Sequence, residues 1–259
     1  VSIQKISIAQ YAIKHKLSQF QVIKKVNAKE LESVEEEGKV WIIIRGEISS
    51  KTTPSPLRRN EFSSDDEGIF ETLMQTCDYG TLSLAEEGVP YGVPVNFAWW
   101  NESVVFHGAK EGRKTEVVKK NPNATFSVVK PYAFIPSHAT HATLACPATQ
   151  FFASIMLQGT VLMVEDASQK AAALSALMAK HQPEGKHELL SSLGHKAMLE
   201  KTAVFALSPS SRTMKLKFGQ NLPSLQQEKI IKALRARDGI LDEETIAMIE
   251  NLSKCKGEK

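Results

Sequence analysis

Val104-Val105-Phe106-His107-Gly108-Ala109-Lys110-Glu111-Gly112-Arg113-Lys114 is the stretch on which the reading of this chain turns. The apolar run Val104–Phe106 predicts a short strand ending at a histidine. Small residues follow, and Arg113-Lys114 open a predicted helix over 113–120, stopped by Asn121-Pro122-Asn123. Such a corner suits a phosphate. Glycines at 108 and 112 let backbone approach a ligand closely, and the free N–H groups and dipole of a helix start favour an anion. Arginine grips phosphate bidentately while lysine acts as a point charge, so Arg113 and Lys114 are the candidate anchors. Lys110, Lys119 and Lys120 add to the charge, which is equally what a solvated basic helix face would carry.

Working outward, Ser63-Ser64-Asp65-Asp66 predicts the cap of a helix reaching about Cys77. Strands begin at Tyr79-Gly80, where Thr81–Ala85 alternates, and Glu87-Gly88 signals a turn. Tyr91, Val93, Val95, Phe97 and Trp99 then share one face of an extended run. Beyond the corner come a strand over Ala124–Val129, a long loop over 130–149 and a strand over 151–164 whose Gly159 predicts a bend or bulge. A helix over Ser168–Lys180 turns Leu174, Leu177 and Met178 inward, and two more strands are expected at Ala203–Leu207 and Thr213–Phe218. Helices near 224–236 and 242–252 end the chain; they either cover the main domain or extend an interface. Many short strands without regular βαβ alternation indicate a mainly β protein, an antiparallel barrel with peripheral helices.

The 259 residues carry 32 basic and 29 acidic side chains, so net charge is +3 and gives no bulk case for nucleic acid. Three scattered cysteines argue against a disulfide framework or structural zinc. No apolar run reaches the roughly 18–20 residues of a membrane span, and no signal peptide opens the sequence, so a cytoplasmic protein is expected.

The polar, proline-containing stretch 49–60 reads as a linker. Before it, Ile8, Ala12 and Ile13 suggest a helix capped by Ser7. Leu17-Ser18 suggests a turn, Val22, Ile23 and Val26 a second helix, and Gly38 a turn into a strand over Val40–Ile44. Helix, turn, helix and wing over residues 1–48 resembles the helix-turn-helix modules of excisionase and MerR-type proteins. In such a module the second helix, with Gln19, Gln21, Lys24 and Lys25, would enter the major groove. Eight basic against six acidic residues, including Glu35-Glu36-Glu37, make a weak phosphate attractor. A helical appendage packed on a partner fits the same sequence.

Residues 57–221 resemble the FMN-binding split barrel of the pyridoxamine 5′-phosphate oxidase-like superfamily, nearest its Nim-type nitroimidazole reductase branch. The resemblance runs in order through Leu57-Arg58-Arg59, Tyr79-Gly80-Thr81-Leu82, Gly88–Phe97, Phe106-His107-Gly108-Ala109, Gly112-Arg113-Lys114, Asn121-Pro122, Phe151–Ser154 with Gly159, and Lys215–Asn221. It implies a homodimeric flavoprotein with FMN at the subunit interface. Electrons would pass between a reductant such as NAD(P)H and a small organic acceptor. Arg113, Lys114 and Gly108 would hold the phosphate. The Val95-Asn96-Phe97 strand would run beside the ring, with Asn96 addressing its polar edge, and His107 would face the redox pocket as the candidate catalytic residue. Asn96 is equally suited to be a structural amide satisfied by backbone.

Two alternatives stand beside this reading: a haem-binding or haem-degrading split barrel, and a flavin-responsive DNA-binding regulator. His138 and His141, three apart in the long loop, would suit haem iron or a metal, but no third ligand lies nearby in sequence and a pocket lid accounts for them as well. No metal is assigned. Cys146 lies beside the expected pocket. No catalytic triad, Walker loop or Rossmann fingerprint occurs.

Overall fold

Alternation along the strands sets one face of each against a shared core. The computed structural model describes residues 2–8, 11–12, 15, 19–36, 39–46, 59–190 and 192–254. It comprises two compact units, Val1–Thr53 and Pro54–Lys259.

In the first unit, β1 (Ser2–Ser7) and β2 (Ser33–Glu36) flank β3 (Lys39–Gly46) in an antiparallel sheet of order β1-β3-β2. Helix α1 (Gln19–Asn27) contributes Val22 to a small core with Ile6, Ala12 and Ile42. The second helix and the strand over 40–44 are therefore present, and Ile8 and Ala12 are helical. Ile23 departs from its expected inward position, at 41% exposed. Strand β1 carries no sequence signal strong enough to have been read. The expected turns at Leu17-Ser18 and Gly38, and Ile13, lie outside the described residues.

The second unit is an eight-stranded antiparallel sheet curled into a split barrel. Its path is β6-β5-β9-β10-β11-β8-β7, with β4 (Ser63–Ser64) paired to β11. The strands are β5 (Tyr79–Glu86), β6 (Val89–Asn96), β7 (Ala98–Trp100), β8 (Ser103–Ala109), β9 (Asn123–Ile135), β10 (Thr149–Met163) and β11 (Thr202–Lys217). Around them lie α2 (Glu67–Thr76), α3 (Arg113–Lys120), α4 (Ala167–His181), α5 (Lys196–Lys201), α6 (Ser224–Arg237) and α7 (Asp242–Lys254). Asp66 caps α2 by accepting from Ile69 N at 2.9 Å, and Asp166 caps α4 the same way through Gln169 N. Phe97, Phe106, Phe126 and Phe205 are fully buried in the barrel core.

Two boundaries depart from the sequence reading. The expected loop over 130–149 begins only after Ile135, because β9 continues through Pro131. The proline is tolerated there because pairing with β10 shifts register between Gln150 and Phe152, where Pro131 sits opposite Phe152. The two expected strands at 203–207 and 213–218 are one sixteen-residue strand, β11. Its polar middle, Ser208–Arg212, resembles a turn in composition but pairs with β10 around a bulge at Gln158/Gly159. Gly159 is compulsory there, since a Cβ would lie 2.1 Å from Ser208 O.

The C-terminal helices cover the barrel. Ile230, Leu234, Ile246 and Ile249 join its core. Fully buried Thr245 accepts a hydrogen bond from Ala133 N at 2.9 Å, and Arg237 donates to Phe134 O at 2.8 Å, so both helices are tied to β9. Among the described residues no helix is long and apolar enough to cross a membrane.

Candidate functional site

Helix α3 opens at Gly112, whose φ of +118° suits glycine alone. No side chain caps the helix, so the first-turn N–H groups of Arg113, Lys114 and Thr115 face outward without the usual Ser or Asp acceptor. Thr115 anchors the turn from beneath: it is buried and donates to Ala109 O at 3.0 Å.

Lys114 folds back toward β8. Its Nζ donates to His107 O at 3.3 Å and lies 5.3 and 5.2 Å from the ring centres of Phe106 and Phe205, which stack on each other. Half-buried, its ammonium loses basicity to desolvation. Gly108 leaves this position open. Arg113 is half-exposed, stacks its guanidinium 4.3 Å above the Tyr91 ring and donates through Nε to Glu86 at 3.0 Å. These two partners were not read from the sequence. Glu86 closes β5 and Tyr91 sits across the same hairpin, so only strand pairing brings them to Arg113.

Along β8, Val104 and Phe106 enter the barrel, while Val105 and His107 take the opposite face. Val105 packs there with Ala173 and Leu177 of α4. His107 is exposed on this face. Burial, the Lys114 ammonium and His181 all push its imidazole below the ordinary histidine pKa, in that order. His181, at the end of α4, lies 3.2 Å through Nε2 from Phe97 O. The corner thus gathers His107, Gly108, Arg113 and Lys114 around one helix start, with His181 as an addition the sequence did not single out.

The Val95-Asn96-Phe97 segment is placed differently. Val95 and Phe97 direct their side chains into the core, so only their backbone can face a ligand. Asn96 donates to Asp78 O at 3.2 Å. Lys180 covers the other side of Phe97, with its ammonium 3.5 Å from the ring centre and donating to Met74 O and Cys77 O.

The loop histidines stay apart from this corner. His138 lies on the 3-10 turn Ser137–Ala139, and His141 Nδ1 accepts from Thr143 N at 3.3 Å and Leu144 N at 3.2 Å. No group of three or more His, Cys, Asp or Glu suited to a metal occurs among the described residues. His141 and Cys146 instead line a cavity of about 460 Å³ where β10 begins and β11 ends.

Residues 66–216 match the family described as pyridoxamine 5′-phosphate oxidase. No curated protein matches the chain in sequence. A candidate 5-nitroimidazole antibiotic resistance protein from Bacteroides thetaiotaomicron superposes with a TM-score of 0.50 at 23% identity, over 59% of this chain and 85% of that one. The flavocytochrome Anf3 from Azotobacter vinelandii gives 0.54 at 22% identity, over 62% and 72%. An FAD- and haem-binding protein from Mycobacterium smegmatis gives 0.52 at 18% identity, over 60% and 73%. At these identities the likeness is one of fold. The family match spans more than half of the sequence, and the chain belongs to the pyridoxamine 5′-phosphate oxidase family.

Proposed function

We propose that the Pro54–Lys259 unit binds FMN and acts as an oxidoreductase on a small organic acceptor, with NAD(P)H as reductant and a homodimer as the working form. The observation that carries this reading is the uncapped start of α3, where Gly112, Arg113 and Lys114 meet the open position at Gly108. The donor set suits a phosphate: the first turn of α3 has no side-chain cap and carries a guanidinium and an ammonium on successive residues. Membership of the pyridoxamine 5′-phosphate oxidase family supports a flavin as the bound group.

FMN, when bound, supplies the redox chemistry, and the protein contributes binding, orientation and electrostatics. Arg113 and Lys114 would hold the phosphate. Lys114 also fixes the His107 carbonyl, coupling the phosphate seat to the strand that carries the imidazole. His107, whose charged form burial and the Lys114 ammonium disfavour, would exchange a proton with substrate at an imidazole nitrogen. Asn96 and the backbone of Val95 and Phe97 would border the ring. The test is the absorption spectrum of the purified protein after incubation with FMN, FAD or haem and gel filtration. Retained visible flavin bands support the reading; a Soret band alone favours the haem alternative, and a colourless protein removes both.

A second reading concerns the Val1–Thr53 unit as a DNA-binding element. It is favoured by the β2–β3 hairpin and α1, which meet in one small core through Ile42 and Val22, and by exposed Lys24 on that helix. Lys25, however, is paired with Glu30 at 2.8 Å. Salt-dependent binding of the full chain to duplex DNA decides it; no binding at low salt removes it.

A further inference from the structure

The cavity where β10 begins and β11 ends shares no residue with the corner described above. Eight of its lining residues, among them Arg59, Phe62, Lys217 and Ile230, also lie outside the family-matched span 66–216. The other seven, Phe151 and His141 among them, belong to that span, so the cavity lies at its margin. Its volume of about 460 Å³ falls within the range of small-molecule sites.

Its floor is rigid. Gly219 adopts φ +73° in the turn from β11 to α6, and a Cβ there would press on Phe151 and Leu222 at 3.1 and 3.2 Å. The Gln220 side chain closes the turn on itself, accepting from Phe218 N at 2.8 Å and donating to Leu216 O at 2.6 Å. Gln227 then donates to Gly219 O and Leu222 O. Such a preformed wall spares a ligand the cost of ordering it.

The lining is divided by chemistry. Phe62, Phe151, Leu222 and Ile230 make it apolar, while Lys217 and Arg59 bring two cations to it. Lys217 donates to Thr149 Oγ1 and makes no ion pair among the described residues. Desolvation, then Lys215, then Arg59 lower its basicity. Arg59 meets Glu61 only at 3.9 Å and keeps half its side chain exposed. Two cations at an apolar cavity are an arrangement that an anionic group on an apolar body would complete.

We propose that this cavity is a second ligand site, separate from the FMN seat, for a small amphipathic acid whose carboxylate or phosphate lies between Lys217 and Arg59 and whose apolar ring lies against Phe151 and Ile230. The site belongs to the barrel whether or not the flavin reading holds.

Calorimetric titration of the full chain with 1-naphthoate, 1-naphthyl phosphate and neutral 1-naphthylmethanol tests this. One equivalent of acid should bind, at least about tenfold more tightly than the alcohol, and the tighter of the two acids identifies the anion. Lys217→Gln and Arg59→Gln should each weaken the acid by about tenfold and leave the alcohol unaffected. Arg59→Gln, on an exposed segment, keeps the test valid if Lys217→Gln folds poorly. Equal binding of acid and alcohol, no binding of either acid, or wild-type affinity in both variants overturns the proposal. Displacement of the bound acid by one equivalent of FMN overturns it too, because the two sites would then be one; absence of flavin binding alone leaves it standing.

Discussion

Lys114 Nζ lies 2.6 Å from the point that a Cβ on Gly108 would occupy. The glycine thus reserves the position of the ammonium. Because the intruding atom is the end of a flexible side chain, Gly108→Ala would move Lys114 rather than disrupt the strand. FMN retention should fall by about tenfold, the equivalent of one charge-assisted hydrogen bond, with melting temperature nearly unchanged. Equilibrium dialysis beside thermal melts checks this; undiminished retention would remove Lys114 from the phosphate site.

Arg113 is shared between Glu86 and the proposed phosphate. Arg113→Ala should weaken FMN by about 10- to 100-fold. Glu86→Gln, which frees the guanidinium from a competing carboxylate, should bind FMN at least as tightly as the parent. Fluorescence titration of FMN distinguishes them, and equal affinity in Arg113→Ala and the parent would show the phosphate assignment to be wrong.

His107 should titrate below the ordinary histidine range, because burial and the Lys114 ammonium disfavour its charged form. The unfolded chain then binds more protons between the folded pKa and about 6.5, so stability rises with pH across that window. The contribution is complete above about 6.5 and declines as pH falls toward the folded pKa. Imidazole NMR titration of the parent, with His107→Asn for assignment, reads this directly; a midpoint above the reference value would contradict it.

Asp242, almost fully buried, joins α7 to α6 by accepting from Arg237 Nε at 2.8 Å and from Gly239 N at 2.9 Å. Arg237 holds its carboxyl below the usual range. That stability is present above the unfolded pKa of about 3.9 and is lost as pH falls through the folded pKa. Asp242→Ala should cost about 2 kcal/mol at pH 7, since it leaves Arg237 and the Gly239 N–H without their partner. Urea denaturation at pH 7 and at low pH measures both effects, and the gap between variant and parent should narrow in acid.

Legibility followed the range of the interaction. The corner at 104–114 was readable because a strand, two glycines and a helix start are local patterns, and α3 begins at Arg113 as its sequence indicates. The bulge at Gly159 was likewise local. β9 beyond Val129 was not, since Pro131 forbids ordinary pairing and is excused only by a register shift in its partner. The continuity of β11 through Ser208–Arg212 was hidden for the same reason: a polar segment becomes strand when a neighbour satisfies its backbone.

By itself the sequence determined the mainly β architecture, most of the helices of the second unit and the proximity of His107, Gly108, Arg113 and Lys114, all written in periods and motifs a few residues long. Only the tertiary structure decided that Arg113 answers to Glu86 and Tyr91, that the C-terminal helices cover the barrel, and that Arg59 and Lys217, 158 positions apart (217 − 59), line one cavity. Those relations depend on strand pairing and closure of the core, which join residues distant in sequence and leave no periodic trace in it.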